Sequence, residues 1–195
     1  MVGYASDFEW SSSNWELLSG ASYDGTKALS ALNGNTYARN NTVADALNQK
    51  VKVYFAHYHT NLTNRKGVVR VFLRHSQLGT NNSSNVGYLL ESAVGYDITN
   101  YVKVYRCDGN NAVELYSTSG LTKGVWYLLD FRVMTSGSNA YIAAYIYKQS
   151  DMSLIRSIEI TDTSPLNTPG KFGFGLYRYG TSDYARLDNL EYYVL

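Results

Sequence analysis

Three histidines, a scatter of carboxylates and one cysteine are the residues of this sequence whose types allow chemistry. His57 and His59 stand two apart in Tyr54-Phe55-Ala56-His57-Tyr58-His59, and in a strand that spacing puts both imidazoles on one face. A zinc site needs three or four ligands, and the only further histidine is His75. All three are therefore expected as polar side chains at a strand end or on a sheet rim. A retaining glycosidase needs two carboxyl groups about 5 Å apart. Glu159 and Asp162 have the wrong spacing for that, Asp188 and Glu191 fall on opposite faces of a regular strand, and Glu91 and Asp97 are separated by a loop. No Gly-x-Ser-x-Gly elbow supports a serine nucleophile. Cys107 is the only cysteine, so no intrachain disulfide exists, and a lone thiol of this kind is expected as a small buried apolar group.

The residues better suited to a task are the aromatics. The chain has 19 tyrosines against 6 phenylalanines. A tyrosine offers an apolar ring with a polar tip. Set beside arginine it can hold the C–H face of a sugar and its hydroxyls together. The candidates on strands are Arg70 and Arg74, Tyr101 and Tyr105, Tyr145 and Tyr147, and Tyr177 with Tyr179. Tyr37, Tyr88 and Tyr96 are candidates in loops.

Composition narrows the partners. The formal net charge is +1, which leaves no basic excess to attract phosphates, so nucleic acid is not expected. No apolar run approaches the roughly 20 residues of a spanning helix. Met1-Val2-Gly3-Tyr4 lacks a basic and an apolar region, so a signal peptide is not expected at this start. Charged residues are only 17% of the chain, below the usual ~25%. A surface built from Ser, Thr, Asn and Tyr suits an extracellular, secreted or surface setting, including that of a virion.

The elements that must position these residues are strands. Val51, Val53, Phe55 and His57 alternate with Lys52, Tyr54 and Ala56. Similar two-residue periods run through 69–74, 125–133, 141–147 and 172–177, the pattern of strands with two distinct faces. Turn residues punctuate them at 22–26, 33–35, 79–85, 108–111, 136–139 and 180–183. Both prolines, Pro165 and Pro169, share one loop and spare the strand runs. Thr42–Gln49 is read as a strand-to-strand loop with one helical turn, which Thr42 would cap. The prediction is one all-β domain over 1–195, with an ordered core from about residue 6, folded as a two-sheet antiparallel β-sandwich.

Several stretches resemble the concanavalin A-like lectin/glucanase superfamily in its laminin-G-like and carbohydrate-binding-module branches. They are Asp7-Phe8-Glu9-Trp10 with Trp15, Ser22 to Ala31 leading into Asn35 to Arg39, Gly124-Val125-Trp126-Tyr127, and Gly170 to Leu176 with Ala185 to Tyr192. The resemblance implies a concanavalin-like jelly roll. It also implies a structural Ca2+ bridging the first strand to the last, with Glu9 (or Asp7), Asn33 (or Asn35) and Asp188 as ligands. Oxygen donors of this kind suit a hard cation. Polysaccharide lyases of this fold use Tyr, His, Arg and Gln, but their signature strands are absent here. The function expected is a non-catalytic, lectin-like carbohydrate-binding module. It would recognise a polysaccharide through an aromatic and arginine-lined sheet face, with neighbouring domains or a protein as further partners. The alternatives are a structural or adhesive surface domain that binds protein and, third, a polysaccharide lyase or glycoside hydrolase.

Overall fold

A computed structural model describes residues 3–6, 15–19, 27–31, 34–40, 43–58, 66–95, 99–178 and 184–195. Their fourteen strands are β1 (Gly3–Ser6), β2 (Trp15–Ser19), β3 (Lys27–Ala31), β4 (Gly34–Arg39), β5 (Gln49–Tyr58), β6 (Lys66–Gln77), β7 (Val86–Gly95), β8 (Tyr101–Asp108), β9 (Ala112–Ser119), β10 (Trp126–Ser136), β11 (Asn139–Lys148), β12 (Ser153–Asp162), β13 (Lys171–Arg178) and β14 (Tyr184–Val194). They form two antiparallel sheets. The eight-stranded sheet runs β12-β11-β10-β5-β14-β3-β2, with β1 also paired to β14, and the six-stranded sheet runs β4-β13-β6-β7-β8-β9. The fold is therefore the expected all-β sandwich, and among the described residues there is no helix.

The alternating runs fall in β5, β6, β10, β11 and β13, and one side of each supplies the core. Val51, Val53, Phe55, Leu129, Phe131, Val133, Ile142, Ala144 and Ile146 come from the larger sheet. Val69, Val71, Leu73, Leu90, Val102, Val104, Phe172 and Phe174 come from the smaller one, and all are buried in one cluster. Because side chains alternate with period 2, the partners of these residues face outward from each sheet. Each described candidate ligand residue is thereby assigned to a face by register, unless a bulge intervenes.

Two of the sheet irregularities change where candidate residues point. In β6, Leu73 pairs with Tyr88 and Gln77 with Val86, so three residues oppose one. Arg74, in this bulge, has φ 52°. It turns inward instead of following Arg70 to the outer face, and it is 1% exposed. Its guanidinium donates to Leu47 O at 2.6 Å, Leu166 O at 2.7 Å and Thr135 Oγ1 at 3.0 Å, and it lies over the Tyr88 ring. Its N–H donates to Gln49 Oε1 at 2.8 Å. Arg74 thus ties two connecting segments and the end of β10 together at the end of the sandwich. Gly170 is required beside it, because a Cβ there would come within 2.6 Å of the Arg74 carbonyl oxygen.

The other of these lies in β14, where Asp188 pairs with Tyr54 and Glu191 with Lys52. Tyr54 and Lys52 share a face, so Asp188 and Glu191 do as well, contrary to the expectation from a regular strand. The helical turn expected at 42–49 is also corrected. Residues 43–48 contain no helix; Ala46 forms a bridge with Gly170, and the Val43 N–H donates to Asn40 Oδ1.

Neither described histidine sits on a rim. His57 is fully buried, with Nε2 2.9 Å from Ser92 Oγ. His75 is fully buried as well, stacked on Phe72 at 4.5 Å. His59 lies outside the described residues. Burial pushes the His75 imidazole down to about 4 from its ordinary 6.5. The Arg39 charge acts in the same direction, while the Asn85 hydrogen bond and the Gln77 backbone oppose it. The unfolded chain therefore takes up a proton below pH 6.5 that the folded chain refuses until about pH 4. The stability associated with His75 is complete above 6.5, falls across that window by about 3 kcal/mol and changes no further below it. An NMR titration is expected to place the His75 midpoint near 4; a midpoint at or above about 6 would contradict the buried neutral ring.

Candidate binding face on the six-stranded sheet

One register row crosses the whole six-stranded sheet on its outer side. Tyr37 pairs with Gly175, Gly175 with Arg70, Arg70 with Glu91, Glu91 with Lys103, and Lys103 with Ser117. Gly175 presents no side chain, so Tyr37 reaches across β13 and its ring lies 5.2 Å from the Arg70 guanidinium carbon. At the centre of the row Arg70 Nε donates to Glu91 Oε2 at 2.6 Å. The two residues are only 8% and 3% exposed, although they face away from the core.

Glu91 is fully engaged. Asn82 Nδ2 donates to its Oε2 at 2.9 Å and the Tyr101 hydroxyl to its Oε1 at 2.7 Å. Burial alone would raise the Glu91 carboxyl. The adjacent Arg70 guanidinium, together with the Asn82, Tyr101 and Arg70 hydrogen bonds, outweighs this and holds it below its ordinary 4.5. Burial and the Glu91 charge in turn push the Tyr101 phenol up. On β8, Lys103 lies over the Tyr101 ring at 5.1 Å and pairs with Glu114 at 2.6 Å.

The 79–85 loop closes one side. Asn85, fully buried, accepts from the Gly79 N–H and from His75 Nε2, and donates to Asn81 O. Asn81 and Ser84 hydrogen-bond reciprocally. The loop so held presents Asn82, which accepts from the Tyr37 hydroxyl at 3.0 Å while donating to Glu91. Tyr37, Arg70, Asn81, Asn82, Ser83 and Ala112 enclose an open hollow of about 350 Å3. Phe72, Leu89 and Cys107 form a small apolar cluster on the same sheet, with Tyr37, Tyr105 and Ala112 against it. Cys107 is buried as expected, and its thiol is pushed up to about 12 by burial.

The candidate ligand residues thus divide. Arg70, Tyr101, Tyr105 and Tyr177 share the outer face of the six-stranded sheet. Tyr145 and Tyr147 belong to β11 of the other sheet. There Arg132 forks onto Asp130 and lies 5.5 Å from the Tyr145 ring, and the Tyr145 hydroxyl donates to Glu159 at 2.7 Å. Arg74 is interior, and Tyr88 is too, its hydroxyl donating to Asp162. Tyr96 and Tyr179 lie outside the described residues.

Of the residues named for calcium, Glu9 and Asn33 also lie outside them. Asp188 is 5% exposed, and its Oδ1 accepts the N–H of Asn189 in the β14 bulge. Among the described residues no group of three or more His, Cys, Asp or Glu is placed to hold a metal ion.

Comparison with known proteins agrees with this geometry at the level of fold. The VIP36 exoplasmic/lumenal domain in its Ca2+/Man2-bound form superposes with a TM-score of 0.67 at 12% identity, over 99% of this chain and 87% of that one. The Emp47p carbohydrate recognition domain gives 0.59 at 10% identity, over 94% and 89%. A legume lectin-like domain from Entamoeba histolytica gives 0.60 at 12%, over 93% and 90%. The chain has the concanavalin A-like lectin fold. No protein-family model and no curated protein matches it by sequence.

Removing one member of the Arg70–Glu91 pair strands the other charge. Glu91→Leu is expected to cost about 3–5 kcal/mol in urea unfolding, with much of that loss recovered in Arg70→Met/Glu91→Leu. Costs that simply add would contradict the coupling.

Proposed function

We propose that the chain is a non-catalytic carbohydrate-binding module that holds a polysaccharide or glycan on the outer face of its six-stranded sheet. The observation that carries this reading is the hollow over the Arg70–Glu91 pair, where a tyrosine ring stands beside amide and hydroxyl groups. A pyranose has an apolar C–H face for Tyr37 and hydroxyls that exchange hydrogen bonds with Asn81, Asn82 and Ser83. The internal bonds of the 79–85 loop mean that little ordering remains for the ligand to impose. Tyr101, Tyr105 and Tyr177 extend the face to either side. The fold relatives support the reading by their own ligands, since VIP36 domains occur in Ca2+/Man and Ca2+/Man2 forms.

A non-cytosolic setting belongs to the same proposal, in keeping with the exoplasmic/lumenal origin of the VIP36 domain. So does a structural Ca2+ held by Glu9, Asn33 and Asp188.

Native affinity electrophoresis against a panel of polysaccharides, with calcium and with chelator, tests the reading. At least one polysaccharide is expected to retard the protein, and Tyr37→Ala is expected to weaken that retardation about five- to tenfold. Chelator is expected to weaken it if the calcium assignment is correct. Retardation by none, or retardation indifferent to Tyr37→Ala but lost in Tyr145→Ala, would overturn the assignment of this face.

A further inference from the structure

Among the described residues one strong cation lines the hollow, and it is paired within the fold. Arg70 Nε lies 2.6 Å from Glu91 Oε2. The other lining groups that can reach a ligand through polar atoms are Tyr37, Asn81, Asn82 and Ser83, all uncharged. Of the other charges on the face, Lys103 and Glu114 are paired with each other at 2.6 Å, and Arg39, two residues from Tyr37 on β4, donates its guanidinium to the Ser76 carbonyl. An anionic ligand entering the hollow therefore finds a guanidinium whose charge is already compensated. It must also bring its own negative charge close to Glu91, a buried charge that salt and water screen less than a surface one. An uncharged sugar meets no such opposition, because hydroxyls need only the amides, the serine and the aromatic faces.

Resting on the carbohydrate reading above, we propose that Glu91 is a specificity-determining residue. By neutralising Arg70 it reserves the hollow for uncharged sugars and excludes uronates and other anionic residues. Exclusion of the wrong ligand by a like charge is a common route to discrimination. Glu91 makes this exclusion without itself reaching the ligand, since both of its oxygens are committed to Arg70, Asn82 and Tyr101.

The test runs the wild-type protein and Glu91→Gln in affinity electrophoresis against mannan and xyloglucan as neutral probes, and polygalacturonate and alginate as anionic ones. Wild type is expected to be retarded by a neutral probe and not by the anionic ones, with retardation constant between about 50 mM and about 500 mM NaCl. Glu91→Gln, which keeps the shape but removes the negative charge beside Arg70, is expected to gain about tenfold in affinity for an anionic probe, and to lose that gain at the higher salt.

Stronger retardation of wild type by an anionic probe than by a neutral one would overturn the role of Glu91 and leave the carbohydrate reading standing. A folded Glu91→Gln with no gain would do the same. Retardation by no probe at all would remove both. If Glu91→Gln does not fold, the wild-type preference and its salt independence still decide the matter.

Discussion

A buried ion pair on the outside of a β-sheet is the constraint on which this face depends. Arg70 and Glu91 come from neighbouring strands and are almost wholly removed from water, which costs several kcal/mol per charge unless each lone pair and N–H finds a partner. Tyr101 and Asn82 complete the shell of Glu91. Asn82 can do so only because the 79–85 loop folds back over the sheet, and that loop is held through Asn85 by His75. His75 is in place because the β6 bulge turns it beneath the loop, stacked on Phe72. The hollow is thus the outcome of a chain of hydrogen bonds that begins in an irregularity of one strand.

The same bulge decides what lies at the end of the sandwich. Arg70 and Arg74 are an even number of residues apart, so a regular strand would show both to solvent. The bulge sends Arg74 inward, where three carbonyl or hydroxyl oxygens take up its guanidinium. One arginine is left to shape a surface, and the other joins 47, 135 and 166 to the core.

Much of the architecture was legible in the sequence. The two-residue period of 51–57 and 125–133 marks β5 and β10, and the Asp108 to Asn111 turn joins β8 to β9, its Asp108 carboxylate accepting the N–H groups of Asn110 and Asn111. What was not legible came from the bulges, which have no compositional signature. They reversed the reading of Arg74 and of the Asp188–Glu191 pair, and His57 and His75 are covered by the opposite sheet or by a loop, as no local pattern could show. Glu91 was a missed signal. An acid inside Leu89-Leu90-Glu91-Ser92-Ala93-Val94 must find a partner once the strand is buried, and Arg70 within Val68-Val69-Arg70-Val71-Phe72 is the matching cation. The tyrosines were the hardest to sort, because the ring that packs and the ring that binds have the same residue type, and only sheet membership separates Tyr101 and Tyr105 from Tyr145 and Tyr147.

Two tyrosine-bearing faces, one on each sheet, therefore compete for any ligand, and the central claim is that the hollow over Arg70 and Glu91 is the one used. Residue-resolved NMR titration of the intact chain with a neutral oligosaccharide tests this most directly. The account expects amide shifts concentrated at Tyr37, Arg70, the 79–85 loop, Glu91 and the 101–105 stretch of β8. Shifts concentrated instead at Arg132, Tyr145 and Tyr147 on the eight-stranded sheet would contradict it.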